Sequence, residues 1–349
     1  MKTSHLPHLS RLAALLLILL ATPLSSCDKL LVGPETPNTP EQNFEYLWQT
    51  FDRLYGTFKV KHVNWQALHD RYRPQVKPTT SDAELVAIMG QLLDHLDDNH
   101  VFIRPLKASG APNYNGGILG RRKFEDYDQT VAACYLTTRK TYGNDIVYGW
   151  LTTKVGYIDL LAFNNNYDYY AKALDTVLGE LNDAEGIVVE MRENDGGEDR
   201  VAQYIANRFA SARHLSFTSR VRNGPRHSDF GPELRFYTEP QGSFQYTKPV
   251  VVLQRRATFS SGETFVLAMR QNPNVVTVGD STGGAFADAV RQELPNGWNI
   301  RVPIADVRAA DGKNYESIGL APDYLVKNTK QELASGHDKA LETALQLLH

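Results

Sequence analysis

The chain has 349 residues and a nearly balanced charge: 37 lysines and arginines stand against 40 aspartates and glutamates, giving a formal net charge of −3 at pH 7. It contains no block of basic residues, which argues against a nucleic-acid-binding surface. Beyond residue 43 about 300 residues remain, enough for one large domain or two modest domains with a full-sized core.

The first 27 residues are typical of a bacterial lipoprotein signal. Lys2 and Arg11 precede an apolar run at residues 12–21, which is too short for a permanent spanning helix, since such a helix needs about 20 residues. The sequence Leu-Ser-Ser-Cys then ends at Cys27. We expect Cys27 to be the lipidated first residue of the mature protein, because stable anchoring takes more than one acyl chain. The alternative is an ordinary secretory signal in which Cys27 is incidental.

Lipidation of Cys27 would attach the protein to a membrane of the bacterial cell envelope, at the outer membrane or the periplasmic face, without a spanning helix. Residues 28–42 are rich in Pro, Thr and Asn, a composition that predicts a flexible linker. Once Cys27 is lipidated, Cys134 is the remaining thiol. The sequence therefore predicts no intramolecular disulfide.

Two structural regions are predicted after the linker. Residues 43–104 form a small helical subdomain, because apolar residues recur there at spacings of three and four and a capping box starts at Ser81. Residues 105–349 form an α/β core, since strand-like and helix-like segments alternate from residue 145 onward. Within this core, residues 105–150 are predicted to be a β-rich connecting segment, with alternating Val131, Ala133 and Tyr135 suggesting hairpins and loops.

The first segment that indicates chemistry is a buried strand at residues 187–191, which runs into a polar turn containing Gly196 and Gly197. Paired glycines at the end of a strand let the backbone approach a ligand and present N–H groups to an oxyanion. The alternative is that Asn-Asp-Gly-Gly makes only a tight turn.

A second segment places Ser260 and Ser261 after an apolar strand and just before a helix. A hydroxyl at this junction suits a nucleophile, because the amides at the helix N-terminus can stabilise the negative charge that its attack creates. Either serine could instead only cap the helix. Position alone does not choose between the two serines.

Two further residues could complete such a site. Glu316 lies in the turn-rich segment 311–323, where a carboxylate could orient a histidine, although a solvated loop glutamate is the alternative. His100 follows three aspartates at positions 94, 97 and 98, and it could be a catalytic base, a helix cap or a surface residue.

Taken in this order, the segments resemble the S41 peptidase family, which contains the C-terminal processing proteases and the tricorn core. Six motifs carry the resemblance: Gly156-Tyr157-Ile158, Arg192 through Gly197, Ser260-Ser261-Gly262-Glu263, Val278 through Gly284, Leu294 through Gly297, and Glu316 through Asp323. The family pattern places the nucleophile three residues before the glutamate of Ser-x-x-Glu, which selects Ser260. The resemblance implies a ClpP/crotonase-like spiral of ββα units for the core.

One departure from the family pattern bears on mechanism. Processing proteases of this family use a lysine base, but the corresponding position here is Ala285. The tricorn-like branch instead pairs the serine with a histidine and a glutamate, and His100 and Glu316 match those positions. The resemblance thus implies a serine-type peptidase that acts through an acyl-enzyme, with Ser260, His100 and Glu316 as catalytic residues. The oxyanion hole would come from Ser261 together with Gly196 or Gly197.

A second departure concerns the substrate. The interval between His100 and Gly156 is too short for the PDZ domain of the processing proteases, so short peptides or partly unfolded proteins are the expected substrates. No His-x-x-x-His or paired-cysteine spacing occurs, and we expect neither a metal nor a cofactor. Two other readings stay open: a ligand-binding protein on the same fold, like the retinoid-binding proteins, and a scaffold in a larger assembly.

Overall fold

The computed structural model describes residues 37–349, so the predicted signal, Cys27 and most of the linker lie outside the described residues. The helices, in chain order, are α1 (Pro40–Leu54), α2 (Phe58–Lys61), α3 (Trp65–Tyr72), α4 (Asp82–Asp94), α5 (Gly117–Arg121), α6 (Gln129–Cys134), α7 (Tyr167–Glu180), α8 (Asp199–Asn207), α9 (Ser261–Met269), α10 (Lys330–Ala334) and α11 (Lys339–Leu347).

The strands fall into three sheets. In chain order they are β1 (Phe102–Arg104), β2 (Tyr114–Asn115), β3 (Thr138–Tyr142), β4 (Ile146–Trp150), β5 (Val155–Leu160), β6 (Gly186–Glu190), β7 (His214–Val221), β8 (Leu234–Thr238), β9 (Val250–Gln254), β10 (Val275–Gly279), β11 (Ala289–Glu293), β12 (Asn299–Pro303), β13 (Ala305–Ala309) and β14 (Tyr324–Leu325).

The helical unit α1–α4 shares its core with a sheet from the far end of the chain. The capping box predicted at Ser81 is present, with Ser81 N donating to Glu84 Oε2 at 2.8 Å. The buried side chains of the helices pack with those of the hairpin β11–β12, including Trp298 and Ile300. This hairpin belongs to a four-stranded sheet of order β11-β12-β1-β2. The helical unit and the segment that follows α4 are thereby fixed to the core.

A seven-stranded sheet of order β14-β10-β9-β6-β5-β4-β3 forms the centre of the core. Strands β5, β6, β9, β10 and β14 run parallel, whereas β3 and β4 are antiparallel to their neighbours. Both faces are covered: Ile187 and Val189 lie in one apolar cluster with α7, α8 and α9, while Val188 lies in another with α11. Burial on both faces explains the continuous apolar runs of β6 and β9.

Two features differ from the sequence predictions or extend them. Residues 129–134 form helix α6, capped by the Asp128 side chain, although the alternation of Val131, Ala133 and Tyr135 suggested hairpins and loops. A third sheet of order β13-β7-β8 consists of three strands that no prediction covered. Within residues 37–349 no helix combines the length and apolarity needed to cross a bilayer.

Three loops that follow parallel strands of the large sheet lie at the same edge of that sheet. The loop at 191–198 follows β6, residues 255–260 follow β9, and residues 280–288 follow β10. Because the carboxyl ends of parallel strands meet at the same edge, this is where an α/β sheet builds its sites. Gly196, Gly197 and Ser260 lie in these loops.

Candidate active site

Ser260 occupies a strained turn between β9 and α9. Its backbone has φ 57° and ψ −131°, a conformation that residues other than glycine rarely adopt and that costs about 1–3 kcal/mol. Its side chain does not cap the helix. The hydroxyl of Ser261, in contrast, is buried and donates to the Gly197 carbonyl at 2.8 Å. The two serines that position alone left equivalent are therefore in different environments.

The glycine pair lies directly against the serine turn. A Cβ atom at Gly196 would come within 2.7 Å of Ser260 Cβ, and one at Gly197 would come within 1.9 Å of the Phe163 carbonyl oxygen. Both glycines have positive φ angles, 96° and 135°. Only glycine fits at these two positions, so the approach of this loop to Ser260 depends on the sequence Gly-Gly.

The amides near Ser260 are not equally available. Gly196 N donates to Asn194 Oδ1 at 2.9 Å, and the Asn194 side-chain amide is itself held by the Leu160 carbonyl at 2.7 Å. For the amides of Gly197 and Ser261, no acceptor is found within residues 37–349. These two N–H groups are available to bind a developing oxyanion.

His100 lies in the turn between α4 and β1, and it is buried instead of at the surface. Its backbone N–H donates to Asp98 Oδ1 at 2.9 Å, and its ring packs against Phe259, the neighbour of Ser260, with centroids 5.8 Å apart. Burial, together with the positive charge of Arg301, lowers the pKa of His100 to about 4. The imidazole is therefore neutral at pH 7 and able to accept a proton.

Glu316 is also buried, in the loop that follows β13. Its Oε2 accepts a hydrogen bond from Phe286 N at 3.0 Å, while Oε1 has no partner in the described part of the chain. Burial, together with the negative charge of the nearby Asp98 carboxylate, raises the pKa of Glu316 to about 8. Its burial excludes the alternative that Glu316 is a solvated loop glutamate.

One short stretch of chain contacts all three candidate catalytic residues. We name residues 283–287 the bridging segment, and three successive residues of it each contact one candidate. Ala285 O accepts from Ser260 N at 3.1 Å, Phe286 N donates to Glu316 Oε2 at 3.0 Å, and the backbone of Ala287 lies beside the His100 ring. Residues distant in sequence are thus brought together at one place.

The hydrogen bonds between the three side chains are not formed in this structure. Among residues 37–349, neither ring nitrogen of His100 has a hydrogen-bond partner, and neither does Glu316 Oε1. Such bonds are often long in a free enzyme and shorten when substrate binds. Three buried polar atoms without partners in the described part of the chain, all beside the bridging segment, make this a candidate functional site.

The nearby lysine is not at the position where the family pattern has one, and the described residues form no metal-ligand group. Ala285, at the position of the family lysine, is buried in the bridging segment. The lysine whose charge reaches His100 and Glu316 is Lys61, and its ammonium is held by the Leu96 carbonyl at 2.7 Å and by Asp98 Oδ2 at 3.2 Å. Within residues 37–349 no group of three His, Cys, Asp or Glu side chains is arranged to hold a metal ion.

Sequence reasoning missed two buried carboxylates that shape the site. Glu263 served only to identify the Ser-x-x-Glu motif, yet its side chain accepts hydrogen bonds from two amides of the bridging segment. Asp98 was one of three aspartates near His100, and it alone accepts the His100 amide. The motif spacing could have indicated Glu263, but nothing in the sequence separates Asp98 from Asp94 and Asp97.

Comparisons with known proteins agree with this architecture. Residues 154–326 match the sequence profile of peptidase family S41, and residues 36–94 match that of the tricorn protease C1 domain. The carboxyl-terminal-processing protease of Synechocystis sp. is 28% identical over 198 residues, which cover 56% of this chain and 44% of that protein. The carboxy-terminal processing protease CtpA of Bacillus subtilis is 25% identical over 187 residues, covering 53% and 38%. The chain spans less than half the length of these two relatives.

Solved structures show the same fold. A candidate peptidase from Parabacteroides merdae superposes with a TM-score of 0.81 at 29% identity, covering 89% of this chain and 97% of that one. Mature CPAF superposes with a TM-score of 0.67 at 10% identity, which concerns the fold alone. The fold class predicted from the sequence, an α/β core preceded by a helical subdomain, is confirmed.

The raised pKa of Glu316 makes stability depend on pH in a defined direction. Between its usual pKa of 4.5 and about 8, the folded protein holds a proton that the unfolded chain has released, so stability falls as pH rises through this window. We expect the stability of wild type relative to Glu316→Gln to decrease by up to about 1.4 kcal/mol per pH unit there. Urea unfolding of both proteins from pH 4.5 to 9 measures this difference.

The matched control for this titration is Glu293→Gln, a substitution at an exposed position. Its unfolding free energy should run parallel to that of wild type across the same range. Parallel curves for Glu316→Gln as well would contradict the assignment of a buried, protonated Glu316.

Proposed function

Residues 154–326 match peptidase family S41, and we propose that the chain belongs to this family and is a serine-type peptidase with Ser260 as the nucleophile. In this proposal His100 is the general base and acid, and Glu316 orients and stabilises it. The observation that carries the proposal is the set of contacts made by the bridging segment with these three residues.

The proposed reaction has two stages. In the first, His100 takes the proton of the Ser260 hydroxyl while Oγ bonds to the substrate carbonyl carbon, and it then delivers this proton to the leaving amine as the C–N bond breaks. In the second, His100 takes a proton from water while the water oxygen bonds to the acyl carbon; the ester bond from that carbon to Oγ then breaks, Oγ regains the proton from His100, and the acid product leaves. The neutral imidazole of His100 is in the correct state to begin the cycle.

Glu316 and the free amides would stabilise the two charges that appear. The oxyanion would be bound by the N–H groups of Gly197 and Ser261, which have no competing acceptor in residues 37–349. The imidazolium would be stabilised by the ionised form of Glu316. Glu316 holds a proton in the free protein at pH 7, and it would release this proton to solvent as the positive charge develops beside it, because such a charge favours the ionised form of a buried carboxyl. Of the two glycines that the sequence offered, Gly197 is preferred because the Gly196 amide already binds Asn194.

We also propose an exported, membrane-anchored location, with Cys27 as the lipidated residue. The basic and apolar residues that precede Cys27 support this proposal. Short peptides or partly unfolded proteins of the bacterial cell envelope, at the outer membrane or the periplasmic face, would then be the substrates. The Ser260 turn is half-exposed, which suits access by an extended chain.

Cleavage of a mixed peptide library tests the enzymatic proposal. Residues 28–349 should produce new fragments over time by mass spectrometry, and Ser260→Ala should lower the rate by at least about 10³-fold, because it removes the nucleophile. His100→Ala should lower it to a similar extent. Ser261→Ala is the control, because its backbone amide is retained and it should keep most of the activity. Cleavage that persists in Ser260→Ala would exclude this mechanism, and no cleavage by wild type would favour the ligand-binding or scaffold function.

Anchoring is tested separately by growing bacteria that express the full chain with an alkyne fatty acid. We expect the wild-type chain to become labelled and to sediment with membranes, because the acyl chains are added at Cys27. Cys27→Ser should lose the label, whereas Cys134→Ser should keep it. Labelling that survives in Cys27→Ser would place the modification elsewhere.

A further inference from the structure

A row of side chains on the four-stranded sheet lies next to His100. Phe102 of β1 is directly opposite Arg301 of β12, and Arg301 is directly opposite Arg291 of β11. Residues directly opposite each other on neighbouring strands project to the same face of a sheet. Two arginines and one aromatic ring thus lie in a row on one face of the sheet. The aromatic residue of this row, Phe102, is two residues after His100 in the chain.

The two arginines lack the partners that such groups normally have. The Arg291 guanidinium lies over the Phe102 ring, 5.8 Å from its centroid, and the side chains of Arg291 and Arg301 make no hydrogen bond or ion pair within residues 37–349. Arg301 is also half-buried. Like charges directly opposite each other on neighbouring strands are unfavourable, and partial burial of an unpaired charge adds to the cost.

Neighbouring groups do not neutralise this pair. Asp98 is the carboxylate whose charge acts on Arg301, but its oxygens are already bound by Tyr55, Lys61 and the His100 amide. A third arginine of the same sheet, Arg104, differs because it donates to the Ile103 and Tyr114 carbonyls and to Asn115. The Arg291–Arg301 pair is therefore free to bind an anion.

The position of the pair relative to His100 indicates which part of a substrate it would meet. Of the positive charges that act on His100, that of Arg301 has the larger effect, ahead of that of Lys61, and together with burial it lowers the pKa of the imidazole. In acyl transfer the histidine delivers its proton to the leaving amine, so the leaving fragment lies on the histidine side of the serine. The leaving fragment is also the part that carries the C-terminus of the substrate.

We propose that Arg301 and Arg291 bind a carboxylate of the leaving fragment and so select substrates with a negative charge shortly after the scissile bond. This inference rests on the proposed peptidase function. A guanidinium pair suits a carboxylate because arginine presents its donors in a planar fork that matches the two oxygens. The carboxylate can be the substrate's own C-terminus or the side chain of an Asp or Glu, and the experiment separates these two sources.

The test measures binding in the full chain with Ser260→Ala, solubilised in mild detergent, so that no peptide is consumed. Three fluorescent peptides of one sequence are compared by anisotropy: one with a free C-terminus, one amidated, and one amidated with Asp replacing Asn near its end. We expect the free peptide to bind at least about tenfold more tightly than the amidated peptide, as charge-assisted hydrogen bonds allow. Tight binding of the Asp peptide would show that the arginine pair also binds a side-chain carboxylate.

Arg301→Gln in the same background should reduce the preference to within about twofold, and Arg291→Gln should reduce it in part. Arg235→Gln changes the net charge equally at an exposed strand position and should keep the full preference. Because the readout is a ratio of two affinities, a general loss of folded protein does not imitate the effect.

Equal binding of the free and amidated peptides, or a preference unchanged in Arg301→Gln, overturns the proposal. Failure of the peptidase function is recognised separately, since it leaves the wild-type chain unable to cleave any peptide while the binding ratios are still measured. If the chain prefers a carboxylate but cleaves no peptide, the anion site is supported and the peptidase function is not, and the chain would be a binding protein.

Discussion

The buried carboxylate of Glu263 is the contact on which the candidate site depends. It accepts hydrogen bonds from Thr282 Oγ1 at 2.5 Å, Gly284 N at 2.8 Å and Ala285 N at 2.6 Å, and so holds the bridging segment against the start of α9. Burial nevertheless raises the pKa of Glu263 to about 7. Moving the segment would leave buried donors unpaired at about 1–3 kcal/mol each, so its contacts with Ser260, His100 and Glu316 are fixed together.

The helical unit contributes to the site through Asp98. Tyr55 at the end of α1 donates its hydroxyl to Asp98 Oδ2 at 2.7 Å, Lys61 at the end of α2 donates to the same atom at 3.2 Å, and the other oxygen receives the His100 amide. Asn99 adds a hydrogen bond to the Gly283 carbonyl at 2.8 Å. The helices thus position the histidine turn against the bridging segment, which gives the tricorn C1-like region a direct role in the geometry of the site.

Sequence periodicity was sufficient to predict the α/β class and the capping box at Ser81, both of which the structure has. Motif order was sufficient to select Ser260, His100 and Glu316 as candidate residues. They failed where long-range packing decides the outcome. The six residues of α6 read as alternating because so short a segment fits a period of two as well as one of 3.6. The hydrogen bond from the Gly196 amide to Asn194 depends on contacts that no local pattern encodes. The same is true of the Arg301 guanidinium, which has no hydrogen-bond or ion-pair partner among residues 37–349.

The most direct test of the central claim is the rate at which a fluorophosphonate modifies the protein, with the modified residue located by mass spectrometry. If the bridging segment holds His100 and Glu316 in working positions, Ser260 is activated, and wild type reacts at this one serine. Glu263→Gln, which keeps the side-chain shape but weakens the contacts that hold the segment, should react much more slowly. Labelling of Ser260 at the same rate in both proteins, or no labelling of wild type, would contradict the account.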